Sequence, residues 1–190
     1  MSKLDSQPLW VRLIPPAHPE RRLLVHYFEQ HHYLGYPHPL GQLHYLVGDR
    51  SGRALASLLF GPAAWKCRGR DAFIGWTAAQ RQARLGLIAN NSRLLILPWV
   101  QVPQMASHLL ALVLQRLPAD WQKHYGQPLV LVESFVEIAR FAGTCYRASN
   151  WVDLGLTQGR SRHGAPGVRV PRKRLYVRPL MRHFRQALCP

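Results

Sequence analysis

Apolar and polar positions along this chain switch repeatedly between the period of two that marks strands and the period near 3.6 that marks helices. Leu9 to Ile14 predicts a short strand closed by Pro15-Pro16, and Pro19 to His32 predicts a helix with Leu23, Leu24, Tyr27 and Phe28 on its apolar face, ended at Gly35. Gln42 to Val47 and Ala54 to Phe60 flank the turn-forming string Gly48-Asp49-Arg50-Ser51-Gly52, the pattern of an antiparallel hairpin. Thr77 to Leu87 predicts a helix with Thr77 as its N-cap, Asn90-Asn91-Ser92 breaks it, and Leu94 to Leu97 predicts a buried strand closed by Pro98. Gln104 to Leu117 predicts a long apolar helix that terminates at Pro118. Leu129 to Val132 predicts a second buried strand ending on the carboxylate Glu133. A helical face of Ile138, Phe141, Ala142, Cys145 and Tyr146 follows, and Asn150-Trp151 opens an extended segment. Residues 161–172 carry glycines and prolines among arginines and predict a mobile basic loop before a last strand, Arg174 to Val177. The order implies an α/β (α+β) fold: one domain with a mixed sheet flanked by helices, residues 1–159 as its core, and 160–190 as basic loop, last strand and C-terminal tail of the same domain.

The chain's 190 residues, 47% of them apolar, are enough to bury one good core. No apolar stretch approaches the roughly 20 residues that span a bilayer, and the start MSKLDSQPLW has no apolar signal-peptide core. Cys67, Cys145 and Cys189 are odd in number and lack CxxC spacing, so neither a disulfide framework nor a zinc site is indicated and a cytoplasmic location is the expectation. Charge changes the picture more. The balance of 25 Lys and Arg against 9 Asp and Glu leaves +16. Residues 160–190 hold nine basic residues and no acidic one, so the rest keeps +7. Arginine dominates, which suits bidentate contact with phosphate. The partner implied is nucleic acid, DNA first, rather than a membrane, because no basic amphipathic helix stands out.

Strand, helix, strand, with a tyrosine late in the helix, resembles the closing half of the GNAT (N-acetyltransferase) fold. Four strings, HYLGY (32–36), AAWKCRGRDAFIGW (63–76), ANNSRLLILPWVQVPQMASHLL (89–110) and ESFVEIARFAGTCYRASNW (133–151), resemble the DruA-like family, named for a component of the Druantia anti-phage system and similar to domains in or beside transposases. The resemblance covers roughly residues 23–180. It implies DNA, mobile elements or phage defence, with partner proteins of such a system, and it implies no established reaction.

In a GNAT-like fold the cofactor pyrophosphate sits at the start of the helix after the central strand. Here that connection is Pro98-Trp99-Val100-Gln101-Val102-Pro103-Gln104, with no glycine and two prolines that lack N–H donors, which counts against acetyl-CoA and leaves the cofactor unnamed. Glu133, at the end of its strand, is the candidate general base, and the GNAT resemblance makes Tyr146 the candidate general acid. Structural roles compete with both: a helix-start acid or a partner of Arg140 for Glu133, core packing for Tyr146. Glu137 would pair with Glu133 if the helix began early. Asn90, Asn91 and Ser92 are candidates for substrate contact or simple turn residues, and His32 and Tyr33 could line a cleft. The tryptophans at 65, 76, 99, 121 and 151 are interleaved with Lys66, Arg68, Arg70 and Arg81, and Trp76 is the one expected to be exposed for base stacking. Arg160, Arg162, Arg172, Lys173 and Arg174 are the expected phosphate contacts. The ten histidines lack ligand spacing, so no metal site is expected.

Two function classes stand. The first is a DNA-associated protein of mobile-element or anti-phage context on a GNAT-like scaffold, transferring an acyl-type group to a nucleic-acid-linked amine. The second is a non-catalytic DNA-binding module. Behind them comes a metal-dependent nuclease or transposase drawing on Asp71, Asp120, Glu133, Glu137 and Asp153.

Overall fold

The computed structural model describes residues 9–37, 41–158 and 171–190. Its elements in chain order are β1 (Trp10–Leu13), α1 (Arg21–His31), β2 (Leu43–Gly48), β3 (Ala54–Pro62), α2 (Arg68–Ile74), α3 (Ala78–Arg84), β4 (Ile88–Ile96), α4 (Met105–Tyr125), β5 (Leu131–Glu137), α5 (Thr144–Ala148), β6 (Val152–Leu156), β7 (Lys173–Pro179) and α6 (Phe184–Leu188). The strands form a mixed seven-stranded sheet in the order β1-β2-β3-β4-β5-β7-β6, flanked by helices. The chain divides into two compact units, residues 1–61 with 91–126 and residues 62–90 with 127–190.

In the first unit β2 pairs antiparallel with β1 and β3, closing the hairpin that the Gly48–Gly52 turn predicts. Its core gathers Ile14, Leu24, Phe28, Leu46, Leu59, Leu95 and Leu97. The stripe Met105, Leu109, Val113, Leu117 and Trp121 buries one face of α4. This helix does not stop at Pro118; it continues to Tyr125 and ends on Gly126 in the left-handed conformation at φ 70°. An interior proline costs about 3 kcal/mol, and the turn beyond it is held by tertiary contacts that offset that loss. Trp121 is 1% exposed, its ring lies 4.2 Å from that of Tyr125, and Asp120 accepts from Tyr45 at 2.9 Å and from Arg116 at 2.6 Å. The polar triplet Asn90-Asn91-Ser92 is not a break but part of β4. Asn91 is buried, and its side-chain amide donates to the carbonyls of Leu59 (3.1 Å) and Arg93 (2.9 Å), so the polar group is paired inside the sheet.

In the second unit β5 pairs antiparallel with β7 along its whole length, from Leu131↔Pro179 to Glu137↔Lys173, and β7 pairs with β6. The ladder claims the backbone groups of residues 133–137, and the helix expected to run from there to Tyr146 shrinks to α5. Ile138 and Phe141, expected on its inner face, are 43% and 51% exposed. Gly143 starts α5 at φ 68°, where a Cβ would meet the Tyr176 hydroxyl at 2.5 Å. The core here joins Ile74, Trp76, Leu87, Ile88, Val130, Leu131, Leu175, Val177, Phe184 and Leu188. Thr77 caps α3 as expected, in a capping box with Gln80 worth about 1 kcal/mol. The seven-residue α2 and five-residue α6 have no counterpart among the elements the pattern predicts. Among the described residues no helix is long and apolar enough to cross a membrane.

Candidate functional site

Glu133 sits within β5, not at its end, and is 0% exposed. Its Oε1 accepts the backbone N–H of Ala64 at 2.7 Å and its Oε2 accepts from Arg70 Nη1 at 2.9 Å. Arg70, on α2 and equally buried, also donates from Nη1 to the Ala64 carbonyl at 2.7 Å and from Nε and Nη2 to Asp71 Oδ1 at 3.1 and 2.9 Å. Both Glu133 oxygens and all three Arg70 nitrogens are therefore engaged. Asp71 extends the network, accepting from Trp76 Nε1 at 3.0 Å and from the Cys67 N–H at 3.3 Å, and Arg81 lies 3.5 Å from it. The Arg70 guanidinium also lies 5.5 Å from the Trp76 ring centre.

Burial pushes the Glu133 carboxyl above the usual range, opposed by the Arg70 guanidinium and the Ala64 N–H. Burial also works against the Arg70 charge, but the carboxylates of Glu133 and Asp71 outweigh it, and the Arg70 pKa is raised. An upward shift is what a general base needs, yet Glu133 has no exposed surface and both its oxygens are already in use. This geometry departs from the cleft-facing carboxylate expected from the sequence and gives Glu133 a structural partner set. Arg70, not Arg140, is that partner; Arg140 pairs with Glu137 at 3.4 Å.

Successive residues of a strand face opposite sides of the sheet, so Ser134 points away from the side of Glu133. Ser134 Oγ donates to the Tyr146 hydroxyl at 2.9 Å, which puts Tyr146 on the Ser134 side of β5. Tyr146 is 6% exposed, stacks on Tyr176 at 5.3 Å and meets Trp151 edge-on at 5.0 Å. The two candidate acid–base residues thus lie on opposite faces of one strand.

The other candidates are dispersed. Trp76 is buried, not exposed, because its indole N–H is consumed by Asp71; the exposed tryptophans are Trp65 at 44% and Trp99 at 38%. His32 and Tyr33 stack at 5.0 Å in the first unit, and burial, with the nearby Arg93 charge, lowers the His32 pKa to about 4. Asn90 Oδ1, in the second unit, and Ser92 Oγ, in the first, are buried without a hydrogen-bond partner. Arg172 is exposed, while Lys173 and Arg174, the first two residues of β7, are half-buried, and Arg174 donates to Asp153 at 2.8 Å. Arg160 and Arg162 lie outside the described residues, as does most of the loop predicted at 161–172. Arg70, expected among the cations beside the tryptophans, and Asp71, expected among the acids of a metal site, instead form one network with Glu133, which the sequence does not foretell. The one signal was an Arg-Asp pair directly preceding the apolar Ala72-Phe73-Ile74.

The five acids considered for metal chemistry each face arginine: Asp71 with Arg70 and Arg81, Asp120 with Arg116, Glu133 with Arg70, Glu137 with Arg140, and Asp153 with Arg174. Among the described residues no three His, Cys, Asp or Glu converge as ligands. The connection between β4 and α4 does not fit a cofactor pyrophosphate. Pro98 and Pro103 have no N–H, the amides of Val100 and Met105 turn to the carbonyls of Leu97 and Val102, and no glycine permits close approach.

A family model described as Druantia protein DruA matches residues 7–168. No curated protein sequence matches the chain. Among solved structures it is similar to the ribosomal-protein-S18-alanine N-acetyltransferase of Escherichia coli, with TM-score 0.55 and 10% identity over 90% of this chain and 94% of that one. It is similar to the spermidine/spermine N-acetyltransferase SpeG of Vibrio cholerae, solved with manganese ions, at TM-score 0.55 and 12% identity over 93% and 94%. A GNAT family acetyltransferase of Elizabethkingia anophelis, solved with acetyl-CoA bound, aligns at TM-score 0.53 and 9% identity over 90% and 98%. At such identities the likeness establishes the fold alone, which is GNAT-like.

Proposed function

The chain belongs to the DruA family, and from that premise we propose that it is a DNA-associated protein of anti-phage or mobile-element context in which the GNAT-like scaffold serves as a binding body. The observation that carries this is the charge. The chain has 9 acids against 25 Lys and Arg. Six of those acids, Glu20, Asp71, Asp120, Glu133, Glu137 and Asp153, are spent on internal arginine pairs. The excess of +16 then calls for an external polyanion. Arg172 and Lys173, with Arg160 and Arg162, are the proposed phosphate contacts. Arg174 contributes less, because Asp153 already balances it. The burial of Glu133 and the placement of Tyr146 on the other face favour binding over acid–base catalysis by this pair.

The test is the affinity of the full chain for a duplex oligonucleotide beside the Arg172→Gln/Lys173→Gln variant. Each lost phosphate contact lowers the slope of log K against log salt by about 0.9, so the variant should bind more weakly with a slope shallower by about 2. An unchanged slope removes both residues from the interface.

A second reading, transfer of an acyl-type group to a nucleic-acid-linked amine, is favoured by one observation: the GNAT-like fold, shared with solved N-acetyltransferases. A donor-dependent mass increase on an oligonucleotide would establish it. Its absence across acyl donors would leave the binding body.

A further inference from the structure

The buried ion pair of the second unit has an outlet at the surface. Glu133 and Arg70 do not only neutralise each other; they grip Ala64 from both sides, one taking its N–H at 2.7 Å and the other its C=O at 2.7 Å. Three residues on, the Cys67 N–H is fixed to Asp71 and its side chain is buried. Between these anchors the chain projects Trp65 and Lys66. Trp65 is 44% exposed, whereas Trp76, Trp121 and Trp151 are at most 8% exposed and Trp99, at 38%, has its indole N–H bound to the Ala54 carbonyl at 2.8 Å; Lys66, next in the chain, and Arg68, three residues on, are exposed too.

A large aromatic side chain left in water gains nothing from the core, and a buried ion pair is weak evidence for stability, since apolar residues of similar volume often do as well. Both features make sense together if the pair's task is to hold the loop. An exposed indole on a loop anchored at Ala64 and Cys67, with cationic residues one and three positions on, is the composition that stacks an unpaired base while ammonium and guanidinium groups take the adjoining phosphates. Fixing the loop beforehand removes the ordering cost from binding.

We propose that Trp65 is a stacking platform for an unpaired base of single-stranded DNA, with Lys66 and Arg68 on its flanking phosphates, and that the Glu133–Arg70 pair positions it. This rests on the nucleic-acid reading above and deepens it: the occupant is a single strand, because the bases of an intact duplex offer no free face to an indole.

The experiment measures binding of the full chain to a mixed-sequence single strand and to a duplex of equal length, for the wild type, Trp65→Ala and Trp65→Phe. Stacking on one aromatic is worth about 1–3 kcal/mol, or about 5- to 150-fold in affinity. We expect Trp65→Ala to lose single-strand affinity within that range, to keep duplex affinity within about 2-fold, and to melt like the wild type; Trp65→Phe should recover most of the loss. Single-strand binding that depends on salt but is the same in wild type and Trp65→Ala overturns the platform and leaves the nucleic-acid reading standing. Equal losses on single strand and duplex also overturn it, since they point to a general contact. A wild type that binds neither nucleic acid removes both proposals.

Discussion

Replacing Glu133 by alanine separates a structural carboxylate from a catalytic one, because the two roles predict opposite effects on stability. Removal of one partner from a buried ion pair destabilises by about 3–5 kcal/mol, and Glu133 and Arg70 are both 0% exposed with a contact of 2.9 Å. Two features adjust that figure in opposite directions. Asp71 stays beside Arg70 at 2.9 Å and keeps its charge partly compensated. The Ala64 N–H loses its acceptor at 2.7 Å, and a donor left unpaired in the interior costs about 1–3 kcal/mol, toward the low end here because Ala64 is half-buried. The two adjustments roughly cancel, so we expect a loss of about 3–5 kcal/mol. At about 2–4 °C per kcal/mol for a chain of this size, the melting temperature should fall by about 6–20 °C. Thermal and urea unfolding followed by circular dichroism at neutral pH, for Glu133→Ala, Arg70→Met and the double variant, give the loss and the coupling together. The double variant should be destabilised by at least 2 kcal/mol or so less than the sum of the singles. A poised base in a cleft behaves otherwise: its removal is often neutral or stabilising. Single variants within about 1 kcal/mol of wild type and additive with each other would refute the structural assignment.

Gly143→Ala should destabilise by about 2–4 kcal/mol, because residue 143 is at φ 68° and the added methyl would lie 2.5 Å from the Tyr176 hydroxyl; a stability within error of wild type contradicts that packing. His44 is 1% exposed, and burial, reinforced by Arg21 at 3.1 Å, lowers its pKa to about 3. The unfolded chain therefore takes up a proton near pH 6.5 that the folded chain refuses until about pH 3. Stability is full above pH 6.5 and falls by up to about 1.4 kcal/mol per pH unit below it. His44→Gln should flatten that acid limb, and an unchanged limb assigns it to other groups.

The local parts of this fold were legible and the long-range parts were not. Thr77 and Gln80 form a cap from residues three apart, and the Gly48–Gly52 turn dictates its hairpin from five consecutive residues, so sequence carries both. The end of α4 lies beyond the expected stop at Pro118 because what sustains the further turn is Tyr45, 75 positions from Asp120. β5 runs past its expected end for the same reason. A helical spacing at Ile138, Phe141 and Tyr146 competes with a ladder to β7 that only the folded chain supplies, and the ladder wins up to Glu137. The site shows this most clearly. The position of Glu133 after an apolar run is visible in the sequence, but its environment is made by Arg70, 63 residues away, and no periodicity reveals which tryptophan an Asp71 will draw inward. Trp76 and Trp65 stand in similar strings of aromatic and basic residues; the hydrogen bond to Asp71 buries one and leaves the other at the surface.

The dependence of DNA affinity on salt tests the central claim most directly. If Arg160, Arg162, Arg172 and Lys173 each meet a phosphate, log K for a duplex should fall against log salt between 50 and 200 mM with a slope of about −3.6 or steeper, since each contact contributes about 0.9. A slope near zero, or no measurable binding at the low-salt end, would contradict a DNA-binding role for this GNAT-like chain.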